Sequence, residues 1–407
     1  MALEPRECQR SPRRYHRPIR IAIVTDYYYP MLGGITEHVH GQARELARRG
    51  HEVTIVTGNL LRTPPVSDID PRPPATEQFE VVRIGAGVPL YGNASQTIHT
   101  VPAGLTWSLR RLFKKLGSQV VHVHAPYNPG MCAIAPLALP SDAIGLATYH
   151  SVFARGLLLD TLAPLLRRWY SKLDGHIVVS EACIGSLAPY FSFDWKVIPN
   201  GIDDRHFTPD AEPIAELQRD GKPVILFLGR FDPRNGLGTM INAFKEVHAE
   251  HEGGVRLCIV GDGPLKNVYQ RQLSPSVARD VHWAGRMDWS RPRYYASADV
   301  HCTPCQRASF GMVLLEAMSC GRPVVASRIS GFQLVMEHGR EGLMVGPSGD
   351  AHGFARALLY LLDRPAERAR MGREGRRTAV SRYSWPNVAN QLEEYYRELA
   401  DRRGLSL

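Results

Sequence analysis

Four short clusters in this chain carry residue types suited to an anionic ligand. Gly33 and Gly34 follow an apolar run, Arg20–Thr25, and open a helical pattern over 36–49. Paired glycines let backbone N–H groups approach a phosphate, and a helix start adds partial positive charge. The stretch GRFDPRNG (229–236) again lies between an apolar run and a helical pattern. Its Arg230 and Arg234 put two fixed positive charges at a helix entrance, which suits a diphosphate. In SFGMVLLEAMSCG (309–321), N–H groups near Phe310, Gly311, Met312 and Val313 would be free at a helix start, with Glu316 one turn further on. A carboxylate among Val, Leu and Ala is costly to bury unless it is paired or ligand-bound, and ribose hydroxyls are suitable ligands. His150, in TYHS, closes another apolar run. On its own it reads equally as a core histidine bonded to backbone.

Elements able to position these clusters alternate along the chain. Strand candidates are Arg20–Thr25, Glu52–Thr57, Val81–Ile84, Val120–His124, Gly145–Tyr149 and His176–Ser180. A second series follows: Val224–Gly229, Arg256–Gly261, Val281–Ala284, Val300–Thr303, Pro323–Ser327 and Gly342–Val345. Most are apolar throughout, as parallel strands covered on both faces require. Amphipathic segments such as Thr36–Arg49, Gly236–Glu250 and His352–Leu362 lie between them, which predicts an α/β fold of β-α-β units. The pattern restarts near Lys196–Asp203 at a Pro-Asn-Gly turn. The expected architecture is two doubly wound, Rossmann-like domains, 19–197 and 198–385, facing each other across a cleft. A basic tail (1–18) precedes them and a helix with a tail (386–407) follows. Ligands of such sheets collect at the carboxyl ends of strands, where all four clusters lie.

Composition narrows the function. The chain has 407 residues, 44% hydrophobic and 22% charged, an ordinary globular balance. The longest nearly apolar stretch, Met131–Pro140, is about half of what a membrane span needs. No apolar signal segment opens the chain, so a cytoplasmic protein is expected. Seven cysteines, odd in number and scattered, fit reduced thiols, and Cys302-x-x-Cys305 has no second pair at a zinc-like spacing. The net charge of +9 points to anionic partners. Nothing resembles a nucleic-acid-binding motif, so phosphorylated ligands or an anionic membrane face are favoured. Gly85-Ala-Gly87 lacks the third glycine of a dinucleotide fingerprint, and no nucleoside-triphosphatase loop occurs. Asp68-Ile-Asp70 spells a possible metal-diphosphate clamp but sits in a Pro-rich connection, which favours a solvated loop.

The ordered set GGITEHV, TYHS, VVSEA, IPNGID, FLGRFDPRNG, IVGDGP and SFGMVLLEAMSCGRPVVAS resembles glycosyltransferase family 4, retaining sugar-nucleotide-dependent enzymes of the GT-B fold. The resemblance runs from about Arg20 to Tyr383-Ser-Trp385 and the helix beyond, which in this fold crosses back to the N-terminal domain. It is closest to phosphatidylinositol mannosyltransferases. It implies a hexosyltransferase, mannosyl in the first instance, with a GDP- or UDP-linked donor and a lipid-linked or glycan hydroxyl as acceptor. Neither metal nor organic cofactor is required. Gly33, Gly34, Arg230, Asn235, Phe310, Gly311, Met312, Val313 and Glu316 would bind the donor. His150, Arg230 and Glu316 form the implied catalytic set, with Arg230 neutralising the leaving diphosphate. Tyr27, Arg155 and Arg234 would face the acceptor.

Two positions depart from the family pattern. Ala308 stands where the first of two acids eight residues apart is expected, and Asn235 where a lysine is usual. These departures bear on donor identity, and they keep two alternatives open: a UDP-sugar enzyme with a soluble or polysaccharide acceptor, and a weakly catalytic nucleotide-sugar-binding protein. Leu105–Leu116 has the pattern of a basic amphipathic helix, which either lies on anionic lipid at the inner face of the membrane or simply covers the N-terminal sheet.

Overall fold

The computed structural model describes residues 17–31, 33–60, 77–92, 95–100, 103–152, 157–252 and 254–407. The first series of apolar runs forms β1 (Arg20–Val24), β2 (Glu52–Leu60), β3 (Glu80–Gly92), β5 (Val120–His124), β6 (Ile144–Tyr149) and β7 (Gly175–Val178). With β4 (Ser95–Thr100) and β8 (Trp195–Val197) they make an eight-stranded sheet in the order β4-β3-β2-β1-β5-β6-β7-β8. The second series forms β9 (Val224–Leu228), β10 (Arg256–Val260), β11 (Val281–Gly285), β12 (Val300–Thr303), β13 (Val324–Ser327) and β14 (Gly342–Val345), a six-stranded sheet ordered β11-β10-β9-β12-β13-β14. Outward growth from β1 in one sheet and from β9 in the other is the doubly wound pattern. The strands are parallel except for the β3–β4 pair. Central strands such as β5, β6 and β10 are buried along their whole length, which is why they read as unbroken apolar runs.

Two edge strands were illegible in the sequence. SQTIHT has no apolar run, and β4 exists because it pairs antiparallel with β3 from Gly87 to Gly92. The same pairing carries β3 well past Ile84, where the apolar run ends. The three-residue β8 is half-exposed at the opposite edge.

Helices α1 (Gly34–Arg48) and α2 (Leu105–Leu116) cover the first sheet, α3 (Leu237–Glu250), α4 (Arg291–Ser297) and α5 (Met312–Ser319) the second, and α6 (Trp385–Arg403) ends the fold. The last of these returns to the first domain. Val388, Leu392, Tyr396 and Leu399 of α6 are buried with Ile21, Val39 and Leu46 in one apolar cluster. Trp385 packs so closely on Gly41 and Gly201 that a Cβ at either would overlap its indole. The apolar stretch after Met131 forms a short buried helix and a 3₁₀ turn rather than anything membrane-like. No helix among the described residues is long and apolar enough to cross a membrane. Cysteines 132, 183, 258, 302, 305 and 320 are all buried free thiols. The Asp68–Asp70 motif and the tail through residue 16 lie outside the described residues.

Candidate active site

The segment 304–312, leading into α5, touches each of the other three clusters. Its Gln306 N–H donates to Arg234 O (2.7 Å), and Pro304 O lies where a Cβ on Gly236 would fall, at 2.0 Å. Gly236 has φ 78°, so only glycine fits both the turn and that approach. Ser309 Oγ accepts from Val152 N–H (2.8 Å), next to TYHS, and Ser309 O accepts from Ser180 Oγ of VVSEA (2.6 Å). A Cβ on Gly34 would come 3.9 Å from Met312 Cγ, so the glycine mouth faces the first residue of α5. Clusters separated by up to about 280 residues in sequence thus converge on one cleft between the two sheets.

On the C-terminal wall, Arg230 is exposed at the end of β9. Surrounding protein, and then Arg234, pull its guanidinium below the ordinary value, a direction that an approaching anion would reverse. Arg234 is paired with Asp232 (2.9 Å), whose carboxylate also accepts its backbone N–H. Asn235 Nδ2 donates to Arg230 O (2.9 Å), so the side chain at this position braces the arginine loop rather than adding a charge. Gly311, at φ 104°, caps α5, and a Cβ there would strike Phe332 at 2.7 Å. Phe310 is buried edge-on to Tyr383, and residues Gly311 to Val313 are half-exposed at the helix start. Ala308 is half-buried against the core.

Glu316 is only 1% exposed, and its burial has a partner that the sequence did not disclose. Arg291 Nη1 donates to Glu316 Oε1 (2.7 Å) and Tyr295 Oη to Glu316 Oε2 (2.9 Å). The same guanidinium reaches across the cleft to Glu37 Oε1 (2.8 Å) on α1, while its Nε donates to Asp288 O (2.9 Å). Burial pushes the Glu316 carboxyl up from its ordinary value, and Arg291 opposes that rise. Burial also works against the Arg291 charge, but Glu316 and Glu37 more than offset it. Glu37 lies within GGITEHV and Arg291 in an unremarkable Ser-Arg-Pro; only the folded cleft brings them together.

The N-terminal wall is built differently. His150 is 8% exposed; its Nε2 shares a proton with His124 Nδ1 (2.9 Å), and Asn200 bonds the same ring. His122, His124, His150 and His38 stack or meet edge-on, and the line ends where His122 Nδ1 meets Tyr396 Oη of α6 (2.8 Å). Burial lowers His38 and His122 to about 3, and His124 and His150 well below their ordinary value, so the rings are neutral. Nitrogens of His38, His124 and His150 lie within 4.8 Å of one another, close enough to share a cation, but the His124–His150 bond already commits one nitrogen of each ring to the other. Tyr27 is half-buried and donates to Asn128 Oδ1 (3.2 Å). Arg155 lies outside the described residues.

Residues 32–206 match the Glycosyltransferase Family 4 description and residues 222–364 the description Glycosyl transferases group 1. The phosphatidyl-myo-inositol mannosyltransferase of Mycobacterium leprae is 31% identical over 385 residues, covering 94% of this chain and 97% of the relative. The chain belongs to glycosyltransferase family 4. It is a hexosyltransferase. A GDP-mannose-dependent alpha-mannosyltransferase of Mycobacterium tuberculosis is 27% identical over 95% of this chain and 98% of its own length. Among solved structures, sucrose-phosphate synthase of Thermosynechococcus elongatus superposes with a TM-score of 0.70 at 22% identity, covering 95% of this chain and all of that one. Anabaena HepE with bound UDP-glucose superposes at 0.71 and 18%, covering 93% and 99%. At such identities the likeness is one of fold, and the fold is GT-B.

Proposed function

We propose that the protein transfers a mannosyl unit from GDP-mannose to a hydroxyl of an inositol-bearing lipid, with retention of anomeric configuration. The observation that carries this reading is the convergence of the glycine mouth, the arginine loop and the TYHS segment on residues 304–312. The donor diphosphate would lie between Gly33–Gly34 and Arg230, with backbone N–H groups from Phe310 to Val313 and Glu316 holding the nucleoside. Arg230 and the helix starts stabilise charge on the departing diphosphate, the largest electrostatic demand of the reaction. The N-terminal domain, 19–197, takes the acceptor through Tyr27 and Arg155, and 198–385 takes the donor and contributes Arg234 to the acceptor. His150 shapes the wall beside the sugar.

The acceptor reading draws on the mannosyltransferase relatives and on α2. Leu105, Leu109 and Phe113 anchor this helix on the core, so it does cover the sheet. Its opposite face carries Arg110, Arg111, Lys114 and Lys115, together with Trp107, which is 65% exposed and capped by Arg111 at 5.5 Å. A basic face with an exposed indole suits an anionic lipid surface at the cytoplasmic side. A second reading, a UDP-sugar donor with a soluble acceptor, is favoured by Ala308 and Asn235. A donor panel separates them. Diphosphate release from GDP-mannose, raised by phosphatidylinositol vesicles, supports the first; release from a UDP-sugar indifferent to lipid supports the second; binding without release would mark a weakly catalytic binding protein.

A further inference from the structure

Arg291 stands at the junction of the two walls. Its planar fork gives one N–H edge to Glu316 on α5 and another to Glu37 in the first turn of α1, both under 3 Å. Its guanidinium carbon lies over the Phe207 ring, 5.4 Å from the ring centre, and its Nε–H donates to Asp288 O. A guanidinium so surrounded has one orientation. Glu37 begins the helix whose first residues are the glycine mouth, whereas Glu316 sits one turn inside the helix at the opposite wall. Each Glu316 oxygen accepts one internal bond, and a carboxylate oxygen has room for a second.

We infer that Arg291 is a positioning residue for sugar transfer: it keeps Glu316 oriented as the ribose acceptor and, through Glu37, holds the glycine mouth in register with it. This rests on the donor site proposed above. The physical argument has two parts. Without Arg291 the Glu37 charge, and whatever charge remains on Glu316, would face an incoming diphosphate unneutralised, and like charges there oppose binding. Without Arg291, Glu316 also loses its cationic partner. Tyr295 donates to it, Glu37 and Asp288 face it as further carboxylates, and Cys320 closes its own helix. None of these can replace the positive charge, so a buried Glu316 would take up a proton and become a poorer acceptor. Arg291 touches neither sugar nor diphosphate in this scheme; its effect is exerted on donor affinity.

The test is calorimetric titration of GDP-mannose and UDP-glucose into the full chain and its variants, from pH 6 to 9. For whichever donor binds the wild-type protein, Arg291→Gln is expected to weaken binding 10- to 100-fold at pH 7, by the loss of a charged hydrogen-bond partner worth about 1.5–3 kcal/mol. Burial already pushes the Glu316 carboxyl up to about 7 in the wild-type protein, so wild-type affinity should rise as pH goes from 6 to 8; in Arg291→Gln that rise should move to higher pH, so the loss should be smaller toward pH 9 than at pH 7. Glu37→Gln should weaken binding about three- to tenfold without moving the rise in affinity to higher pH, and the double variant should lose less than the product of the two single losses. Arg291→Lys, which keeps the charge but not the fork, should restore only part of the affinity. Affinity in Arg291→Gln within twofold of wild type, or a loss equal at every pH, would overturn the assignment. Should Arg291→Gln not fold, unchanged affinity in Glu37→Gln overturns it instead. If the wild-type protein binds neither donor, the site reading fails and takes this inference with it. Wild-type binding with indifferent variants removes the inference alone.

Discussion

The two walls of the cleft bury polar side chains in opposite ways. Behind the N-terminal wall lies a stack of neutral histidines, of which His122, His124 and His150 are hydrogen-bonded to uncharged groups, closed off by Tyr396 of the returning helix. The C-terminal wall is ionic, with Arg230 and Arg234 at the strand end and the Glu37–Arg291–Glu316 chain at the seam. Burial explains the contrast. A charge removed from water must find a counter-charge, whereas a neutral imidazole needs only a hydrogen bond. In the function proposed above, the ionic wall is where an anionic donor would exchange partners, and the neutral wall would back uncharged hydroxyls.

The contrast can be broken first at Arg230. Arg230→Ala should lower diphosphate release by about 10²–10³-fold, the usual cost of removing one donor to a developing anion, as read from steady-state rates. On the neutral wall, His150→Gln should cost less than about tenfold in the same assay, because a neutral hydrogen bond contributes about 0.5–1.5 kcal/mol. Equal losses at the two positions would erase the distinction.

The histidine wall has its own signature in acid. His38 and His122 protonate only near pH 3 in the folded protein, against about 6.5 when unfolded. Below pH 6.5 the unfolded chain therefore binds protons that the folded chain refuses. Stability is full above that pH and falls as pH drops toward 3, by up to about 1.4 kcal/mol per pH unit for each such histidine. Thermal unfolding between pH 7.5 and 5 should show this fall, and His122→Gln should make it shallower by about one proton. On the proposed membrane side, Trp107→Ala combined with Lys114→Glu should weaken co-sedimentation with anionic vesicles about tenfold without changing donor affinity. No preference of the wild-type protein for anionic over neutral vesicles would remove α2 from the acceptor path.

The sequence disclosed what is local. Apolar runs marked the parallel strands, and glycines and arginines just after them marked the cleft, because strand ends in doubly wound sheets are where ligands bind. Glu316 was visible as a carboxylate in apolar company that needed a partner. Its partner was not visible, since Arg291 and Glu37 are 254 residues apart and meet only when the two sheets face each other. The histidines were equally opaque. His38, His122, His124 and His150 come from α1, from β5 and from the residue just after β6, and nothing in their spacing announces that they stack. Strand β4 was hidden for a different reason: it owes its existence to a neighbour's edge rather than to its own side chains.

The central claim, a family 4 transferase whose ionic wall carries a nucleoside diphosphate sugar, is tested most directly by product release. Purified protein would be incubated with GDP-mannose and with UDP-sugars, with and without phosphatidylinositol vesicles, while free nucleoside diphosphate is followed. The account predicts GDP release from GDP-mannose, raised by the lipid and abolished by Arg230→Ala. Release that survives Arg230→Ala unchanged, or no release from any donor with any lipid, would contradict it.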